Sequence, residues 1–181
     1  MIRSLFWLTI FFACVGFAAA QDLKVGAIIN RDPSTEPGRG QPFRFRADFN
    51  NDGIPDVALS GDREGFGNAG GMFSLYLGTA SGKWRYVGDF SAHPLAAQVE
   101  KGKKGEGILW VYGRSGNHKG ILESFVINEK GIKASSSKEL LTGDEDPGKA
   151  EYDRRFNGAA ALKAEVGTTV AGKTTWSPYE R

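Results

Sequence analysis

The sequence predicts an all-β fold of antiparallel meanders with a minor α segment near the C-terminus. Three observations predict it. The 25 glycines are spread along the chain rather than clustered. Aromatic and β-branched residues fill the intervals between them, as in short strands joined by tight turns. Several intervals alternate apolar and polar residues with period two, the signature of a half-buried strand. At 181 residues the chain is about one domain's worth of sequence.

The first segment is set apart from that pattern. Met1-Ile2-Arg3-Ser4 carries one positive charge, Leu5–Ala20 is apolar, and Ala18-Ala19-Ala20 closes the run. A charged start, an apolar middle and a small-residue end predict a secretory signal peptide over 1–20, cleaved after Ala20. Localisation is then periplasmic or secreted. The run is short for a span of roughly 20 residues and polar sequence follows at once, so no membrane span is expected after cleavage. Lipoprotein processing at Cys14 is the weaker reading, because Phe11-Phe12-Ala13 is bulkier than that signal prefers. Cys14 is the single cysteine. The mature chain therefore has no disulfide, thiol nucleophile or cysteine metal site. Its stability must come from its core or from a metal.

Residues 21–42 read as an N-terminal strand, Leu23–Ile29, and a linker rich in proline and glycine. Residues 43–135 carry the main strand signals. Phe43 and Phe45 alternate with Arg44 and Arg46, and Val57-Ala58-Leu59 is a short apolar run. Residues 71–87 read as a hairpin: GMFSLYLG, the turn Thr79–Gly82, then Lys83–Val87. A second pass follows in residues 107–113, 120–127 and 132–134, with Asn128–Gly131 as its turn. Asp89-Phe90 echoes Asp48-Phe49, which suggests two meander units of roughly 40–50 residues. Residues 136–181 form a C-terminal segment. Asp146 is expected to cap a short helix, with Pro147 in its first turn and Tyr152 and Phe156 on one face. Residues 159–166 fit helix or strand equally. The last residues are weakly β and are expected to close a sheet edge or fray.

The segment richest in chemistry is Asp48-Phe49-Asn50-Asn51-Asp52-Gly53-Ile54-Pro55-Asp56. Oxygen-bearing side chains stand at loop positions 1, 3, 5 and 9. Gly53 stands where a sharp turn is needed, and the Ile54 carbonyl is available. Calcium takes six to eight oxygens at about 2.3–2.6 Å, and alternate acidic residues on a tight loop can supply them. The loop is not an EF-hand, because Leu59 stands where the bidentate glutamate belongs and a strand follows. Asp62 and Glu64 are possible outer ligands. An Asx-rich turn without metal is the plainer alternative.

At these residues the chain resembles the integrin-type FG-GAP and VCBS-like repeats. DFNNDGIPDVALS, GDREGFGNAG and GMFSLYLG stand for their acidic loop, Gly-rich loop and Gly-bounded strand. The resemblance covers residues 43–87 well and 89–134 in outline. It implies four-stranded blades, with Ca²⁺ held by Asp48, Asn50, Asp52, the Ile54 carbonyl and Asp56. Ser91, His93 and Ala97 replace the ligands of the second unit, so one site is expected. Two units cannot close a propeller ring, so an open or incomplete propeller or a sandwich is expected.

Removing Arg3 with the leader leaves 22 basic against 21 acidic residues. That balance, with no basic stripe, argues against nucleic-acid binding. Lys101-Gly102-Lys103-Lys104 reads as a solvated loop. The expected role is a calcium-binding structural or binding module rather than an enzyme, with a protein or glycan partner. The alternatives are an envelope hydrolase using Ser115 and His118, and a carbohydrate platform of Trp84, Trp110 or Trp176. Neighbours in sequence rarely give triad geometry, and no Gly-x-Ser-x-Gly elbow is present. Open strand edges suggest a third role as a structural or inhibitory partner subunit.

Overall fold

The computed structural model describes residues 23–35 and 40–180. The predicted signal segment 1–20, with Cys14, lies outside these residues. The fold is mostly β, as the sequence predicts, with one helix among the described residues. A two-residue strand, β1 (Ile28–Ile29), precedes the meander β2 (Pro42–Ala47), β3 (Asp56–Asp62), β4 (Gly71–Gly78) and β5 (Trp84–Ala92). A second meander follows: β6 (Ala97–Lys101), β7 (Gly107–Arg114), β8 (Lys119–Asn128) and β9 (Gly131–Leu141). The helix α1 (Gly148–Phe156) and a terminal hairpin, β10 (Glu165–Val170) and β11 (Lys173–Pro178), complete the chain.

The strands form two antiparallel sheets. The first has the order β1-β5-β4-β3-β2-β10-β11 and curls into a half-barrel. The second is β6-β7-β8-β9. Period two explains the orientation of β2. Phe43 and Phe45 point into the core, while Arg44 and Arg46 face outward. Arg44 grips Glu165 through Nε at 2.6 Å and Nη2 at 3.1 Å, and Arg46 reaches Asp32 at 2.7 Å. In β5, Val87 and Phe90 both face the core although they are three residues apart. The ladder skips between Leu75 and Tyr76 opposite Gly88, whose φ is +129°. That bulge resets the alternation.

The main core lies between the sheets. Phe45, Phe73, Leu75, Val87 and Phe90 meet Leu109, Val111 and Ile127 there. Phe73 stacks on Phe90 with centroids 5.6 Å apart and rings 12° from parallel. A second cluster lies on the other face of the four-stranded sheet. Tyr112, Leu122 and Leu140 pack there against Phe156 and Tyr152 of α1. The molecule is thus half-barrel, sheet and helix in three layers.

Two expectations need correction. Asp89 and Phe90 lie inside β5, so they are not the second counterpart of Asp48-Phe49. The turn joining the first two strands of the second meander is Gly102–Glu106, five residues long and lysine-rich. Asp146 does not cap the helix with its side chain. Its Oδ2 accepts the Gly143 N–H at 2.7 Å, and Pro147 holds the cap position without a side-chain bond. The carboxylate is spent on the turn before the helix. Residues 159–164 are neither helix nor long strand, apart from a bridge between Ala161 and Gln98. The terminal hairpin does join the sheet edge, through Glu165 opposite Arg44 and Val166 opposite Phe43. No helix among the described residues is long and apolar enough to cross a membrane.

Candidate metal centre

The acidic loop connects β2 to β3. Asp48, Asn50, Asp52 and Ile54 lie on it, and Asp56 opens β3. The chain turns sharply because Asn51 has φ +56° and Gly53 has φ +90°. Gly53 takes this conformation without steric cost, and Asn is among the few other residues that tolerate it. The turn is then laced by side-chain oxygens. Asp48 Oδ1 accepts the Asp52 N–H at 3.0 Å, and Oδ2 accepts the Gly53 N–H at 2.9 Å. Asn50 Oδ1 accepts the Asp52 N–H at 3.2 Å. Asp52 Oδ1 accepts the Ile54 N–H at 2.7 Å, and Asn50 Nδ2 donates to Asp52 Oδ2 at 2.9 Å. The Asn50 and Asp52 bonds to the N–H two residues on are two Asx turns in series.

Asp56 is the floor of the loop and is fully buried, at 0% exposure. Its Oδ2 accepts the Phe49 N–H at 2.7 Å and its Oδ1 accepts the Gly78 N–H at 2.8 Å. One carboxylate therefore ties the loop's second residue to the end of β4. Burial pushes its pKa up to about 7. The two N–H donors oppose the rise, and the charges of Asp52 and Asp48 add to it. The side chains of the loop thus feel one another electrostatically, with Asp56 in the least hydrated place.

The donor set suits a hard, oxygen-seeking cation. Each carboxylate oxygen keeps a lone pair beyond its N–H bond. No three His, Cys, Asp or Glu side chains among the described residues stand in a ready metal cage. The oxygens of Asp48 and Asp52 are turned to the loop's own N–H groups, and these side chains would have to turn to hold a cation. Asp62 and Glu64 do not belong to this site. Asp62 ends β3, six residues and roughly 20 Å from Asp56, where it accepts the N–H groups of Gln41 and Glu64.

Two glycines support the loop and were not singled out by sequence. A Cβ on Gly107 would lie 2.0 Å from the Phe49 carbonyl oxygen, and one on Gly78 would lie 2.4 Å from that of Pro55. Both neighbours are backbone, which cannot rotate away. Gly107→Ala should therefore destabilise the protein by about 1–3 kcal/mol, the range for forced overpacking. Urea denaturation followed by circular dichroism checks it, and an unchanged midpoint would show that the loop is not seated on β7.

The lysine-rich turn of the second meander flanks the loop. Asn51 Nδ2 donates to the Gly102 carbonyl at 3.1 Å, and the Gly105 N–H donates to the Asn51 carbonyl at 3.3 Å. A hollow of about 450 Å³ there is lined by Asp52, Glu106 and Glu129 together with Lys103, Lys104 and Lys130. Lys103 is 80% exposed and pairs with Glu106 at 3.6 Å. The turn is solvated, as its composition suggests. Its place beside the acidic loop was not legible, because it depends on the packing of one meander against the other.

The other candidate residues are arranged differently. The Ser115 hydroxyl is turned to the Lys119 carbonyl at 3.5 Å, and no hydrogen bond joins Ser115 to His118 among the described residues. His93 Nδ1 accepts the Leu95 N–H at 3.2 Å, a turn contact. Trp110 lies under the Arg155 guanidinium at 3.6 Å, and Trp176 under that of Arg44 at 4.3 Å. Trp84 is half-buried in β5, opposite Ile29 and Gly78. Two of the three rings proposed as a carbohydrate platform thus already carry an arginine. In comparisons with known proteins, no family model, no curated protein and no solved structure matches the chain.

Proposed function

We propose that this is an exported calcium-binding β protein acting as a binding or structural module, with the ion held on the loop Asp48–Asp56. The observation that carries the reading is the placement of three carboxylates on one nine-residue loop, one of them sealed beneath it. Asp48, Asn50, Asp52 and Asp56 would offer side-chain oxygens and Ile54 its carbonyl. A bound cation would offset the mutual repulsion of the carboxylates. It would also fix the β2–β3 connection against the Gly102–Glu106 turn. The affinity is expected in the weak, roughly 10⁻⁴–10⁻³ M range of extracellular modules. The FG-GAP and VCBS-like resemblance supports the ligand set only as far as the loop itself.

Isothermal titration of metal-stripped mature protein tests this. One calcium site is expected, and Asp52→Ala should abolish its heat. Calcium at about 100 times its dissociation constant should stabilise the native state by about 2.7 kcal/mol. Titration of the wild type without heat, together with a melting curve insensitive to calcium, would refute the reading.

A further inference from the structure

A second site lies at the other end of β7. Two adjoining hollows of about 240 Å³ and 250 Å³ share a wall made by Tyr112, Arg114 and Tyr152. Each is slightly below the usual size of a small-molecule pocket, and together they fall within it. Asn68, His93 and Tyr179 border the first, and Asn117, His118 and Lys149 border the second. Both histidines of the chain therefore stand on this cleft. The β3–β4, β5–β6 and β7–β8 connections, α1 and Tyr179 near the end of the chain all contribute to it.

The charges on the cleft are unequal. Lys149 is paired with Asp153, which also accepts from Asn157 Nδ2 at 2.6 Å. Arg114 has no ion pair among the described residues. Its Nη2 donates to the Asn117 carbonyl at 2.7 Å, and a guanidinium has five N–H donors in all. One fixed positive charge is thus left for an anion, and arginine's fork suits a carboxylate. The rest of the lining mixes the aliphatic Leu95 and Ala96 with amide, imidazole, hydroxyl and tyrosine side chains. Tyr112 and Tyr152 meet edge to face at 5.0 Å, and the Tyr112 hydroxyl lies 3.3 Å from Thr142 Oγ1. Tyrosine offers an apolar ring and a polar tip in one rigid group. Such a lining matches a ligand rich in hydroxyls with one acidic group.

We propose that this cleft binds a small acidic sugar, with Arg114 holding its carboxylate and the half-buried Tyr152 contacting its ring. The site is separate from the calcium loop, which sits at the Gly107 end of the same strand, so either proposal can fail without the other. The test uses the two histidine imidazoles as built-in reporters in proton NMR. His93→Gln and His118→Gln each remove one signal and so assign the pair. Titration with glucuronate should move at least one signal saturably, and glucose at the same concentrations should move neither. Arg114→Gln should weaken glucuronate binding about tenfold, the loss of one charge-assisted contact, while leaving the melting temperature near wild type because Arg114 is exposed. The proposal is overturned if neither signal moves at tens of millimolar glucuronate, if glucose or inorganic phosphate acts equally well, or if Arg114→Gln binds like the wild type.

Discussion

Asp56→Ala should be the most damaging single substitution in the acidic loop, costing about 3 kcal/mol with two buried N–H donors left unpaired. For a protein of this size that is a fall in melting temperature of roughly 6–12 °C. Two effects oppose each other at this residue. The carboxylate supplies acceptors to Phe49 and Gly78, at 2.7 and 2.8 Å. It also suffers from burial and from the charges of Asp52 and Asp48. Asp56→Asn separates the two. The amide removes the charge and keeps the shape, yet it can accept only one of the two N–H bonds and turns an N–H₂ toward the other. If repulsion dominated, the asparagine variant would be more stable than the wild type. The geometry predicts that it is less stable, lying between wild type and alanine, because an unpaired buried donor outlasts the relief of charge. Thermal melts of the metal-stripped proteins decide the order.

The second large effect is expected at Arg155, which pins α1 to the four-stranded sheet. Its side chain is 7% exposed. Nη1 donates to Gln98 Oε1 at 3.1 Å and to Glu100 Oε1 at 2.8 Å, and Nε lies 3.5 Å from Glu151 Oε1. Glu100 Oε2 in turn accepts Trp110 Nε1–H at 3.0 Å, beneath the guanidinium. Breaking a buried pair costs about 3–5 kcal/mol when the partner is left charged and dry. Here Glu100 is 36% exposed and can turn to water, whereas Gln98 is buried. The expected loss for Arg155→Ala is therefore lower, about 2–4 kcal/mol. Arg155→Lys should recover less than half of it, since an ammonium cannot reproduce the planar fork over the indole. Urea denaturation measures both. Equal stability of the lysine variant and the wild type would mean that charge alone, not the stacked fork, holds the helix.

Much of the fold was legible because its signals are local. The glycine-bounded strand 71–78, the Thr79–Gly82 turn and the alternation of Phe43 and Phe45 each depend on a few neighbouring residues. The helix announced itself through Tyr152 and Phe156, whose rings meet 5.2 Å apart. What was not legible depends on contacts distant in sequence. The partner of β2 on its outer side is β10, joined by Arg44 and Glu165, 121 positions apart. The strands of the second meander fall where residues 107–113, 120–127 and 132–134 predict them, and only its start is misplaced, because Asp89-Phe90 copies the letters of Asp48-Phe49 but sits in a strand. The spacing of Asp146 suits a helix cap, yet its carboxylate is taken by the Gly143 N–H. In the acidic loop the residue types and the turn positions were readable. The seating of the loop on Gly78 and Gly107 was not, because it is a matter of backbone approach between strands.

The loop's chemistry can be seen directly in a crystal structure of the mature protein grown with calcium. The prediction is one ion at about 2.3–2.6 Å from oxygens of Asp48, Asn50, Asp52, the Ile54 carbonyl and Asp56. Strong density for the turn with no ion, and with Asp48 and Asp52 still bonded to the N–H groups of Asp52, Gly53 and Ile54, would contradict it.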